Sequence, residues 1–152
     1  MSLEEEVGIL RNIPLFAKLE PAKLKLLAFT SERITFEAGQ VLFNQGDPGD
    51  AAYIVIDGTA DVLINTPGGK VLVATVSRNA IIGEIAILCD VPRTATVVAK
   101  AKLVTLRIDK ENFFRLVTEF PQMAVEIMRE LAKRLENTNE QLRKAVSAGA
   151  PA

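Results

Sequence analysis

From Ile34 to Ile108 the chain is a series of short β-branched runs separated by glycine, and that punctuation leaves few folds open. Arg33–Phe36, Val41–Phe43, Tyr53–Ile56, Thr59–Ile64, Val71–Val76, Thr94–Ala99 and Leu103–Ile108 read as strands. Branched and aromatic side chains suit a pleated, half-buried surface, and the Gly, Asp and Pro between them suit turns. Asp57-Gly58 carries the signature of a two-residue hairpin. Pro67-Gly68-Gly69 marks a second turn and Gly46-Asp47-Pro48-Gly49-Asp50 a longer one. Short antiparallel strands at this spacing predict an eight-stranded antiparallel jelly-roll barrel over residues 33–108.

The flanks have a helical character, so the fold class is α+β, mainly β. In residues 1–32, Glu4 to Leu10 suits a short helix with its acidic residues at the positive end. Pro21 opens another that carries Leu24, Leu27 and Ala28 on one side. Between them, Ile13-Pro14-Leu15-Phe16 is an apolar connector. In residues 109–146, Asp109 caps a short helix bearing Phe113, Phe114 and Val117. Pro121 then starts a long helix running toward Val146. Along it Met128, Leu131, Leu135, Thr138, Leu142 and Ala145 alternate three and four apart, a heptad seam with one polar position. That seam suits either a second chain, giving a homodimer, or a fold-back over the barrel. Residues 147–152 read as a frayed small-residue tail.

Composition narrows the chemistry. Histidine is absent, which removes the commonest general base and the commonest metal ligand together. No Ser-His or Cys-His pair exists, and the single Cys89 cannot form an internal disulfide. Neither an enzyme nor a metal-dependent cupin fits. A formal net charge of −1 gives no basic field for nucleic acid or acidic lipid. The acidic start lacks signal-peptide order, and no apolar run reaches membrane-span length. The expectation is a cytoplasmic, non-catalytic protein without a membrane partner.

Within the strand-rich stretch, residues 82–97 combine one carboxylate, Glu84, with one guanidinium, Arg93, among small and apolar residues. Buried charges are costly unless paired. A surface Glu–Arg ion pair on a turn would satisfy them. So would a ligand with a hydroxyl edge and an anionic edge, because a carboxylate accepts from hydroxyls and an arginine fork meets two phosphate oxygens. Gly83 permits a tight turn and close approach, Ile85–Leu88 suits a helical turn, and Ala86 and Ala95 are small where a ligand would lie. Cys89 reads as an ordinary small residue, with no charged helper for redox work.

GEIAIL followed by PRTATV resembles the phosphate-binding cassette of cyclic-nucleotide-binding domains. LRNIPLFAKL, the glycine-spaced strands and the helix ending in AKRLENTNEQL extend that resemblance over nearly the whole chain. The resemblance implies a domain that binds cyclic AMP or cyclic GMP, needs no cofactor or metal, and passes a helix rearrangement to an unidentified downstream protein. It assigns Arg93, Thr94 and Ala95 to the cyclic phosphate and Gly83, Glu84, Ile85 and Ala86 to the ribose. In the family the long C-terminal helix closes over the base. Leu131 and Leu135 are its apolar candidates here, and Arg134, Thr138 and Asn139 its polar ones. A hydroxyl at Thr94 resembles domains that accept cyclic GMP, or both nucleotides, where cyclic AMP-selective kinase subunits usually carry alanine. The family's Pro-Gly-Asp turn and aromatic before Gly-Glu are replaced by Arg78-Asn79-Ala80-Ile81-Ile82, with Asn79 suited to left-handed backbone. Catabolite activator-type regulators add a helix-turn-helix after the long helix. Here only the small-residue tail follows Val146, so direct DNA binding by this chain is not expected. The same domain could equally serve as the ligand-binding part of a larger regulator, channel or kinase, or stand as a non-binding relic of the fold.

Overall fold

The computed structural model of the chain describes residues 3–13 and 16–149. Helix α1 (Leu3–Arg11) has Glu4, Glu5 and Glu6 in its first turn and Arg11 in its last, each charge opposite in sign to the dipole end it occupies. Pro21 begins α2 (Pro21–Thr30), where its missing N–H costs nothing, and Leu24, Leu27 and Ala28 face inward as expected. Ile13 and Phe16 of the connector are buried; Pro14 and Leu15 lie outside the described residues.

Eight strands follow among the described residues: β1 (Glu32–Phe36), β2 (Val41–Phe43), β3 (Ala51–Asp57), β4 (Ala60–Thr66), β5 (Gly69–Val76), β6 (Ile81–Ile82), β7 (Thr96–Ala99) and β8 (Leu103–Asp109). They form two four-stranded antiparallel sheets, ordered β1-β8-β3-β6 and β2-β7-β4-β5, rather than the closed barrel expected. The core joins them: Ala51, Tyr53, Val55 and Leu103 of the first sheet meet Ala60, Val97 and Ala99 of the second. Such aligned layers hide one face of each sheet without needing a continuous ladder.

Asp57-Gly58 is not a hairpin, because β3 and β4 belong to different sheets. The chain crosses between layers there. Gly58 has φ +93°, and a side chain on it would overlap the Lys102 carbonyl of the neighbouring β7–β8 connection. Lys100 N–H donates to Thr59 O at 3.0 Å, tying the two crossings together. Pro67-Gly68 does form a hairpin, with Thr66 paired to Gly69 across β4 and β5.

After β8, Asp109 caps α4 (Lys110–Glu119): its carboxylate accepts the Asn112 N–H at 2.8 Å. The buried apolar residues of α4 are Phe113 and Leu116, whereas Phe114 is exposed. Helix α5 (Pro121–Gly149) takes in Ser147, Ala148 and Gly149, which sequence reading put in a frayed tail; Ala150 to Ala152 lie outside the described residues. The chain divides into two compact units between Arg115 and Leu116. The two-residue β6 and the helical turn α3 (Glu84–Leu88) also belong to the first unit.

Candidate functional site

Gly83 sets the site. Its φ of +87° is left-handed, and a Cβ there would run into Arg93 Nη1 and stand 3.1 Å from the Ala51 carbonyl oxygen. Only glycine accepts both demands cheaply. Asn79 at φ +75° takes the left-handed turn expected of it. Gly83 is followed by α3 (Glu84–Leu88), with Glu84 1% exposed at its first position and Ile85 exposed. Asp90, at φ +51°, turns the chain back.

Arg93 returns under this turn, 3% exposed. Nη1 donates to Gly83 O at 3.0 Å, and Nη2 donates to Ala51 O at 2.7 Å and to Asp50 Oδ1 at 3.3 Å. Its Cζ lies 4.1 Å from the centre of the Phe43 ring, a cation–π stack. Its Nε is buried without a hydrogen-bond partner. Burial pulls the guanidinium down from its ordinary pKa; Asp50 and Tyr53 offset part of that pull and Arg107 adds to it. An arginine nonetheless stays charged. Burying such an ion costs several kcal/mol, on the order that a set of carbonyl, carboxylate and ring contacts can offset.

The surface ion pair weighed from sequence does not describe these residues, since Glu84 and Arg93 are both buried. The carboxylate that pairs with Arg93 is Asp50, 3.3 Å away. It stands on the Gly46–Asp50 loop, which grips the cassette closely. Arg93 N–H donates to Asp47 O at 2.8 Å and Gly46 N–H to Arg93 O at 2.9 Å. Gly49 has no room for a side chain, because a Cβ would overlap that of Ala86. The smallness of Ala86 is thus used by the loop. These backbone bonds also explain why β7 starts at Thr96 and not at Thr94 as expected: Arg93 pairs with a loop, so Thr94 and Ala95 form a bend. Thr94 is exposed, Ala95 half-buried, and the buried Thr96 hydroxyl accepts the Gln45 N–H at 2.9 Å.

Beside the cassette, Gly46, Pro48, Gly49, Ala86, Asp90 and Lys110 line most of a cavity of about 370 Å³. Lys110 Nζ pairs with Asp90 at its rim, 3.3 Å apart. Among the described residues no group of His, Cys, Asp and Glu is placed to hold a metal ion. Nor is any helix among them long and apolar enough to cross a membrane.

The other candidates belong to α5. Leu131 and Arg134 are half-buried, Leu135 is 62% exposed, and Thr138 and Asn139 are exposed. Thr138 spends its hydroxyl proton on Arg134 O at 2.8 Å within its own helix. Arg134 Nε lies 3.9 Å from Glu130. Sequence reading missed Asp50, Phe43 and the Ala51 carbonyl. The available signal was a carboxylate directly after a Pro-Gly loop and directly before a strand.

Three comparisons bear on this geometry. The cAMP-dependent protein kinase regulatory subunit of Schizosaccharomyces pombe is 31% identical over 122 residues, 80% of this chain and 28% of that subunit. Thermus thermophilus catabolite activator protein matches with a TM-score of 0.75 at 28% identity, covering 86% of this chain and 62% of that one. A cAMP-binding acyltransferase from Mycobacterium smegmatis matches with a TM-score of 0.77 at 30% identity, covering 89% of this chain and 42% of that one. This chain therefore spans only part of each of these relatives. Residues 33–120 match the cyclic nucleotide-binding domain family, more than half of the 152 residues and all of the cassette, and the chain accordingly belongs to that family.

Proposed function

We propose that this chain is a cyclic-nucleotide sensor without catalysis, which binds cyclic AMP, cyclic GMP or both through Arg93 and Glu84. One observation carries the reading: a buried arginine whose Nε has no partner, in the same cassette as a buried glutamate. A buried polar atom left unpaired is costly, so a bound anion that accepts from it is favoured. The ring phosphate takes Arg93, with Thr94 and Ala95 beside it. The ribose 2′-hydroxyl donates to Glu84, with Gly83, Ile85 and Ala86 as the surrounding wall. The exposed Thr94 hydroxyl is free to reach a guanine edge, which keeps both nucleotides in play.

Closure by α5 is the output step. Leu131 and Leu135 are its apolar candidates for the base, and Arg134, Thr138 and Asn139 its polar ones. Nucleotide drives closure only by preferring the closed state. The exposed Met128, Leu135 and Leu142 support a homodimer through this helix. The receiver of the signal is a downstream protein or a further part of a longer chain in the cytoplasm.

Calorimetric titration with cyclic AMP and cyclic GMP tests the reading. A micromolar dissociation constant, about −8 kcal/mol, is expected for at least one of them. Heat from neither nucleotide, together with an unmoved melting temperature, overturns it.

A further inference from the structure

The Arg93 guanidinium is pinned within its own plane but hinged across it. Nη1 donates to Gly83 O and Nη2 to Ala51 O, so both carbonyls act on the terminal nitrogens. The third bond goes to the Asp50 side chain, which is 69% exposed and restrains it weakly. Hydrogen bonds to carbonyls accept a broad range of approach. The plane can therefore tilt about the line joining the two carbonyls, and Nε, across Cζ from the terminal nitrogens, moves with the tilt. Phe43 closes one side of that motion, its ring centre 4.1 Å from Cζ. The ring is itself held. β2 and β7 slip register between Val41 and Phe43, and the neighbours Leu42 and Phe43 both pack against the core between the sheets. In an unbroken strand they would face opposite ways; a slip of this kind re-aims a side chain. Two residues on, Gln45 N–H donates to Thr96 Oγ1 at 2.9 Å, and Gln45 Oε1 accepts the Asn65 N–H at 2.8 Å. Arg93 is thus gripped from both layers, by the Ala51 carbonyl of the first sheet and the Phe43 ring of the second.

Resting on the reading of the preceding subsection, we propose that Phe43 is a positioning residue for nucleotide binding: its ring fixes the plane of the Arg93 guanidinium, so that the unpartnered Nε is presented before the phosphate arrives. A phenyl ring suits this task. It is flat against a flat cation, and its electron-rich face attracts that cation. It carries no lone pair, so it holds the guanidinium without taking an N–H that the phosphate needs. An aliphatic side chain of similar bulk would fill the space without setting the tilt. An arginine whose plane is already fixed loses less freedom on binding. Phe43 therefore sets affinity through Arg93, for cyclic AMP and cyclic GMP alike, since both carry the same ring phosphate.

The test pairs a ring-removing variant with a ring-keeping one. Cyclic AMP and cyclic GMP are titrated calorimetrically into the parent chain, Phe43→Leu and Phe43→Tyr. Phe43→Leu binds both nucleotides about three- to tenfold more weakly, the cost of immobilising one rotamer-rich side chain. Phe43→Tyr keeps the ring and stays within about twofold of the parent, less than that immobilisation cost. Parent affinity in Phe43→Leu, or an equal loss in both variants, overturns the proposal, because the flat ring is then not what matters. A second readout needs no variant to fold: the Arg93 Nε–H proton resonance of the unliganded parent. A guanidinium lying on a ring is shielded by it, so this signal stands upfield of that of a solvated arginine. An ordinary position overturns the proposal. A parent that binds while these patterns fail sinks the role of Phe43 alone. A parent that takes neither nucleotide sinks the reading of the site and this role together.

Discussion

The cassette and α5 spend their polar groups in opposite ways. In the cassette, Glu84 and Arg93 are buried, and the backbone N–H and C=O of Arg93 are both bonded to the Gly46–Asp50 loop. On α5, Leu135 and Leu142 are each 62% exposed, while Thr138 bonds its own helix and Arg143 pairs with Glu140 on the surface. A site whose groups are fixed before the ligand arrives loses little entropy on binding. A helix whose polar groups are satisfied by itself has to be recruited. On the proposed function, this contrast means preorganised recognition at the phosphate and ribose end, with any contribution from α5 coming through closure.

Substitutions can break or sharpen that contrast. Arg93→Ala is expected to weaken nucleotide binding most, by about 2–5 kcal/mol, the usual cost of stripping one member from a buried charged pair; equal affinity in calorimetry would remove Arg93 from the site. Glu84→Ala should cost about 1.5–3 kcal/mol, as for a hydrogen bond to a charged group. The same titration repeated with a 2′-deoxy cyclic nucleotide should erase that loss. Gly83→Ala should lower stability by about 1–3 kcal/mol, because left-handed backbone and collision with Arg93 coincide there. A melting curve unchanged from the parent would mean the turn relaxes freely. Thr94→Ala should weaken cyclic GMP more than cyclic AMP by about 1 kcal/mol, the scale of one hydrogen bond; an unchanged ratio would take base choice away from Thr94. Thr138→Ala should move affinity by no more than about 0.5 kcal/mol, as for a self-satisfied surface group. A larger loss would show α5 reaching the base and would collapse the contrast drawn above.

Local chemistry was legible in the sequence, and long-range pairing was not. Pro21, Pro121 and the Asp109 cap mark helix starts that the structure keeps, because each acts within one turn. The apolar setting of Glu84 and Arg93 foretold their burial. Asp50 escaped notice because it is 43 residues from Arg93 in the chain, and only the β3–β8 register and the loop over α3 bring them together. Asp57-Gly58 misled because a glycine in left-handed backbone serves a sheet-to-sheet crossing as well as a hairpin. Ile81 and Ile82 form a strand too short to announce itself by alternation.

Tyr53 is the one tyrosine of a chain without tryptophan, and its ring centre lies 6.1 Å from that of Phe43, the ring on which Arg93 rests. Emission excited at wavelengths that phenylalanine does not absorb consequently comes from Tyr53, close to the ring on which the Arg93 guanidinium is stacked. On the proposed function, stopped-flow mixing with cyclic nucleotide and detection of Tyr53 emission needs no added dye.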